Sequence, residues 1–248
     1  MTSTLTGASA LAFCLFAASA AVADPAPPTP GSIGPCAGVY ASVAGLSDYR
    51  FDGFSESNRQ PTWQVTAYCY RNDGFFAGTT LTGVDFEDTP RTQLETDWYV
   101  GRQAPWRGAK VTLELLYTAF PDKRAPGPSY DLIEPQAEIS RSFGHLTLGA
   151  LVSWETNMAG DGQEWHTKAS AAYALTPWLS VSGHAGRFFA AQGVDHDYDA
   201  WDVGATAAWR RFSLDGRYGG TDRPPSQCFF TKWCQPGPYV SLSYRVYP

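Results

Sequence analysis

The residues best able to do chemistry in this chain are scattered rather than grouped. Four histidines, His145, His166, His184 and His196, have neither an HExxH spacing nor a tight Cys/His set around them, which argues against a protein zinc centre. The acidic tract VDHDYDAWD offers Asp195, Asp197, Asp199 and Asp202 as oxygen donors for calcium. It lacks the glycine and terminal glutamate of an EF-hand at the required spacing, so a solvated outer loop is the simpler reading. Ser182 and His184 lie two apart on one predicted face, but no serine motif marks a nucleophile and no carboxylate can be selected to orient a base. We therefore expect no catalytic residue, no metal and no cofactor, and keep a membrane-embedded hydrolase only as a minor alternative. A last cluster, SDYRFDGFSESN at 47–58, is charged, aromatic and broken by glycine. It reads as a loop, a catalytic patch or the charged end of a strand.

The elements that must position these groups begin after an uncharged apolar run. Residues 1–23, MTSTLTGASALAFCLFAASAAVA, end in the small-residue pattern Ala21-Val22-Ala23 and read as a cleaved secretory signal, although no Lys or Arg stands near Met1. Residues 24–38 form a proline-rich flexible leader, and 39–248 are long enough for one large all-β domain. With 24 acidic against 18 basic residues, a formal charge of −6 and a pI near 5.2, the chain is a poor match for the phosphates of a nucleic acid.

Period-two alternation gives twelve strands, near 39–50, 61–71, 74–85, 93–102, 109–120, 130–141, 145–156, 164–175, 178–189, 200–210, 212–221 and 238–247. Most run to about 10–12 residues, the span of a tilted strand crossing a membrane and longer than the usual five or six. Long polar connections alternate with short ones. FDGFSESNRQ, FEDTPRT, PDKRAPGPS, NMAGDGQ, AAQGVDHDYD and DRPPSQCFFTKWCQPG are long, while the links near Asn72-Asp73, Ser142-Gly144, Thr176-Pro177 and Arg210-Arg211 are tight, with QAPWRG at 103–108 as a longer exception. Such sorting predicts a transmembrane up-and-down antiparallel β-barrel of twelve strands, with short periplasmic turns and longer outward loops.

The two faces of the strands support this. Val111, Leu113, Leu115, Tyr117 and Ala119 share one face of 109–120, and Trp201, Val203, Ala205, Ala207 and Trp209 share one face of 200–210, with a tryptophan at each end like an aromatic girdle. The opposing faces carry Glu95, Asp97, Glu114, Glu134, Glu138, His166, Lys168, Asp202, Asp215, Arg217 and Arg245, together with Asp48 and Arg50 at the end of the first strand. Repeated charge of this kind is costly in a dry core but suits a hydrated or salt-bridged lumen. A mean hydropathy of −0.26 fits as well, because only alternate residues need face lipid.

Several segments resemble the TorF family of outer-membrane porins, whose substrates are largely unassigned. They are SDYRFDGFSES at 47–57, QPTWQVTAYCY at 60–70, GFFAGTTLTGVDF at 74–86, ETDWYVG at 95–101, LLYTAFPD at 115–122, YDLIEPQAEIS at 130–140, LTPWLSVSGHAGRFF at 175–189 and DYDAWDVGATAAW at 197–209. The resemblance spans about residues 39–247 and implies an outer-membrane barrel with porin function. It departs at the first motif, where the family pattern SDYxFRGxS has an arginine before the glycine and this chain has Asp52, and at the terminus, where Pro248 follows the aromatic Tyr247.

Beyond Cys14, the four cysteines Cys36, Cys69, Cys228 and Cys234 permit three complete pairings. The barrel topology favours Cys36–Cys69 at the periplasmic rim and Cys228–Cys234 in the last outward loop, where the bond would hold FFTKW and Lys232 in a compact cap. The function expected is passive diffusion of small polar or charged solutes without enzymatic chemistry. The alternative is a closed barrel with a structural, assembly or adhesion role through its loops. Expected partners are outer-membrane lipid and lipopolysaccharide, the barrel assembly machinery during biogenesis, and small polar solutes, with no nucleic acid and no protein partner that the residues identify. In this reading SDYRFDGFSESN continues the first strand from Ser47 to Phe51, bends at Gly53, and puts Glu56 and Asn58 in solvent at the start of an acidic outward loop.

Overall fold

The computed structural model describes residues 36–127, 129–158, 162–192, 196–228 and 233–247; the expected signal and nearly all of the leader, Asp195 and Lys232 lie outside them. Strand β1 (Gly38–Leu46) is followed by the two-residue strands β2 (Arg50–Phe51) and β3 (Phe54–Ser55). The wall continues with β4 (Thr62–Tyr70), β5 (Phe75–Phe86), β6 (Thr92–Trp106), β7 (Ala109–Ala119), β8 (Leu132–Phe143) and β9 (Leu146–Asn157). It is completed by β10 (Gln163–Thr176), β11 (Leu179–Gln192), β12 (Tyr198–Trp209), β13 (Phe212–Thr221) and β14 (Gly237–Tyr247). β1 pairs with β4 on one side and β14 on the other, so twelve antiparallel strands close into a barrel, with β2 and β3 as a separate two-stranded sheet. Val43 marks the closure, opposite Val65 on β4 and Tyr244 on β14. Among the described residues no helix is long and apolar enough to cross a membrane.

One side chain in two points outward along every wall strand, and the outward set is apolar. Among the described residues thirty-one large hydrophobic side chains are exposed, Leu113, Val203, Leu214 and Leu242 among them. An apolar surface of this extent is far larger than a water-soluble monomer presents. The band therefore needs lipid around it. Aromatic residues rim it at both ends. Trp63, Trp165, Phe189 and Trp201 stand toward the long loops, and Trp106, Phe143, Trp178, Trp209 and Phe212 toward the short turns.

The strand expectations hold to within a few residues, with two corrections. β6 runs on to Trp106, so QAPWRG is no longer loop: the link is Arg107-Gly108, with φ of 50° and 80°, a two-residue turn of the twist that hairpins prefer. β1 stops at Leu46 and does not continue through Ser47–Phe51. The chain instead turns into the barrel mouth. At that end Phe86 of β5 and the loop residues Phe120, Tyr130 and Trp233 pack ring against ring with centroids 5.1–6.0 Å apart.

Candidate functional site

The tract after β1 forms a miniature hairpin inside the lumen. Arg50 faces Ser55 and Phe51 faces Phe54 across the turn Asp52-Gly53, in which both residues have positive φ, 48° and 86°. Gly53 is required twice over. A Cβ there would need the left-handed backbone and would meet Thr221 Cγ2 at 2.7 Å and the Gly220 carbonyl at 2.8 Å.

Buried polar contacts fix the hairpin in place. Ser47 N–H donates to the Val240 carbonyl at 2.8 Å, and Ser55 N–H to the Trp233 carbonyl at 2.8 Å. Asp48 accepts from Arg50 Nε at 2.7 Å and from Ser55 Oγ at 2.5 Å. Arg50 Nη1 reaches the carbonyls of Gly219 and Gln235 at 3.1 and 3.0 Å, and Arg59 Nη2 reaches those of Gln235 and Pro236 at 2.8 and 2.9 Å. These bonds tie the first loop to the last strand pair across the barrel seam. A buried aspartate accepting charge-assisted bonds is the arrangement in which such a group stabilises rather than disrupts.

The tip of the hairpin meets the opposite wall. Lys168 Nζ donates to Asp52 Oδ1 at 2.6 Å, both side chains being nearly sequestered from solvent, and its ammonium lies over the rings of Phe51 and Phe188. His166, 1% exposed, has Nδ1 at 3.2 Å from Glu134 Oε1 and 3.7 Å from Asp52 Oδ2, and Nε2 at 3.6 Å from Glu164 Oε2. Ser153 Oγ donates to Glu134 Oε1.

A second contact lies on the β6 side. Tyr49 Oη donates to Glu95 Oε1 at 2.7 Å, and Thr118 Oγ1 donates to Asp97 Oδ1 at 2.7 Å. Burial pushes the loop residue Glu56 up to about 7, and the charges of Asp97, Glu155 and Asp52 add to the shift. A third cluster joins β11, β12 and β13. His184 Nδ1 is 2.8 Å from Asp202 Oδ1, Arg217 Nε donates to the same oxygen at 2.8 Å, and Arg217 Nη1 donates to Ser182 Oγ at 3.1 Å. Thr206 Oγ1 donates to Asp215 Oδ2 at 2.6 Å. Ser182 is thus held by a guanidinium rather than poised beside a base.

The distribution of charge is uneven. β6 to β10 turn seven carboxylates inward, Glu95, Asp97, Glu114, Glu134, Glu138, Glu155 and Glu164, against the two lysines Lys110 and Lys168. β11 to β14 balance Asp202 and Asp215 with Arg217 and Arg245.

Residues 32–236 match the model of a family described as bacterial proteins of unknown function (Gcw_chp). The chain belongs to this family. No curated protein matches the Gcw_chp chain in sequence. Among solved structures it is similar to the NanC porin, with 9% identity over 84% of this chain and 99% of that one and a TM-score of 0.58. It is also similar to the KdgM porin, with 6% identity over 83% and 98% of the two chains and a TM-score of 0.57. At such identities the likeness is one of fold, that of a porin-like outer-membrane barrel.

The Gcw_chp barrel gathers the expected lumen residues into these clusters. Asp48 and Arg50 are buried, but as parts of the inserted hairpin and not of the wall. Glu95, Asp97, Glu134, His166, Lys168, Asp215 and Arg217 are buried on wall strands, while Glu114, Glu138, Asp202 and Arg245 are partly exposed there. Both cysteine pairs, Cys36–Cys69 and Cys228–Cys234, are disulfides. Asp197 and Asp199 pair with Arg187 near the barrel rim. The expectation of an outward acidic loop beginning at Asp52 fails: Asp52 ends on Lys168, Glu56 is half-buried with its backbone carbonyl accepting from Asp85 N–H, and Asn58 donates to Glu87. Sequence reasoning did not single out Tyr49, Asp52, Glu56, Ser153, Glu155 or Glu164 as members of the site. The Asp-Gly dipeptide between Phe51 and Phe54 was the available signal, since it is one of the dipeptides that two-residue hairpin turns favour.

Proposed function

We propose that this chain is an outer-membrane channel for passive diffusion of small polar solutes, admitting cations in preference to anions, with the 47–59 hairpin as its constriction. The observation that carries this reading is the inward row of carboxylates on β6 to β10, which exceeds the lysines on the same strands by five. Walls of one sign with a low-dielectric surround concentrate counter-ions and exclude co-ions. The resemblance of its motifs to the TorF porins points the same way. Export by a signal in residues 1–23, insertion by the barrel assembly machinery, and contact with outer-membrane lipid and lipopolysaccharide complete the proposal.

A second reading has its own support. A hairpin held by buried ion pairs and backbone bonds is also what a permanently closed barrel with a structural or adhesive role would contain. Planar-bilayer recordings separate the two. Stepwise conductance from the wild-type protein, raised when residues 48–58 are replaced by a short Gly-Ser linker, supports the channel. Silence from both proteins, each verified as folded by its heat-modifiable mobility, supports the closed barrel and rejects the channel.

A further inference from the structure

The surroundings of His166 hold more negative charge than a salt bridge requires. Asp52 from the hairpin and Glu134, Glu155 and Glu164 from β8, β9 and β10 crowd one imidazole, and among the described residues the cation paired with this group is Lys168. Four carboxylates against one ammonium leave a formal charge of −3 with the imidazole neutral and −2 with it protonated. Such an excess is costly in a buried setting. Polar atoms here also lack hydrogen-bond partners. Glu134 Oε2 is buried without one, His166 Nε2 and Glu164 Oε2 face each other only at 3.6 Å, Asp52 Oδ2 comes no nearer to His166 Nδ1 than 3.7 Å, and the His166 and Glu134 residues are 1% and 0% exposed. One ligand atom from each of Glu134, Glu155 and His166 lies within 4.8 Å of the others, close enough for side-chain rotations to converge on a single ion.

We infer that Glu134, Glu155 and His166 form a binding site for one divalent transition-metal ion, such as zinc or manganese, at the tip of the hairpin. The imidazole selects this class over magnesium and calcium, which take oxygen ligands. The ion offsets two of the negative charges, and Asp52 and Glu164 stand beside the site as further acceptors that orient the ligands. The three ligands come from adjacent strands β8, β9 and β10, where Glu155 lies opposite Glu164 and His166 opposite Ser153, so that they occupy two neighbouring rows of the inner wall. The site is independent of the transport reading, because binding requires the folded barrel and no conduction.

The test is calorimetric titration of zinc chloride or manganese chloride into detergent-folded, chelator-treated protein. One equivalent bound by the wild type, with affinity lowered at least about tenfold in H166Q and in E155Q and unchanged in the exposed-turn variant D73N, is the expected result. No saturable binding by the wild type, or equal binding by H166Q and E155Q, overturns the proposal. Should those variants not fold, X-ray absorption of the zinc-loaded wild type decides it. One imidazole nitrogen with oxygen ligands at about 2.0–2.2 Å supports the site, and a shell without imidazole overturns it.

Discussion

Asp52 and Lys168 stand 116 residues apart in the chain and meet at 2.6 Å inside the barrel, each side chain 6% exposed. This contact joins the tip of the inserted hairpin to the wall strand β10. Removing Lys168 strands Asp52 beside like charges, at a cost of about 3–5 kcal/mol, and removing the Asp52 charge takes away the ionic tie of the hairpin tip to the wall. D52N and K168M should therefore release the hairpin rather than unfold the barrel, whose strand bonds are untouched. Trypsin cleavage after Arg50 and Arg59 in the folded protein measures this. We expect it to rise at least tenfold in both variants and to fall back toward the wild-type rate in the charge-swapped D52K/K168D protein.

Gly53 offers a test that involves no charge. G53A would place a methyl group 2.7 Å from Thr221 Cγ2 and ask an L-residue to hold φ of 86°. The strain and the clash together come to about 1–3 kcal/mol. Proteolysis at Arg50 should increase as in D52N, while heat-modifiable mobility of the barrel stays the same.

Docking should depend on pH through Glu56. Its carboxyl sits at about 7 in the docked hairpin against an ordinary 4.5, raised by burial and by its neighbours Asp97, Glu155 and Asp52, with Glu95 also in contact. The docked state thus holds a proton that a released loop gives up. That contribution is complete below pH 4.5 and is lost as pH rises to about 7. Conductance should accordingly fall on acidification from pH 7.5 to 5, and E56Q, which mimics the protonated form, should conduct at pH 7.5 as the wild type does at pH 5.

The Cys36–Cys69 disulfide closes a span of 33 residues next to the β1–β4 pairing. Chain-entropy arguments set its stabilisation at no more than about 3–4 kcal/mol, and the strand bonds already close much of the same loop. The C36S/C69S protein should fold, with its gel-shift transition lowered by several degrees. An unchanged transition would show that strand pairing alone holds this edge.

The wall was legible because alternation and turn length repeat along the chain. Val111, Leu113 and Leu115 could only face lipid if Thr112 and Glu114 faced inward, and each short link forced the next strand back beside the last. The hairpin was not legible by the same reasoning. Its charged residues looked suited to solvent because their partners, Lys168, Gly219 and Gln235, lie between 116 and 185 positions away. Asp52 illustrates the limit. Read locally it was a departure from the SDYxFRGxS pattern in an acidic loop, and in the folded chain it is the anion that Lys168 meets. The acidic tract near Asp197 likewise proved to be paired with Arg187, a residue ten positions earlier.

The most direct test of a cation-preferring lumen is the zero-current reversal potential of the reconstituted protein across a tenfold potassium chloride gradient. With the carboxylates of β6 to β10 lining the path, the potential should take the sign of cation selectivity and move toward zero in the triple variant E95Q/E114Q/E138Q. A reversal potential of anion-selective sign in the wild type, or one that the triple variant leaves unchanged, would contradict the account.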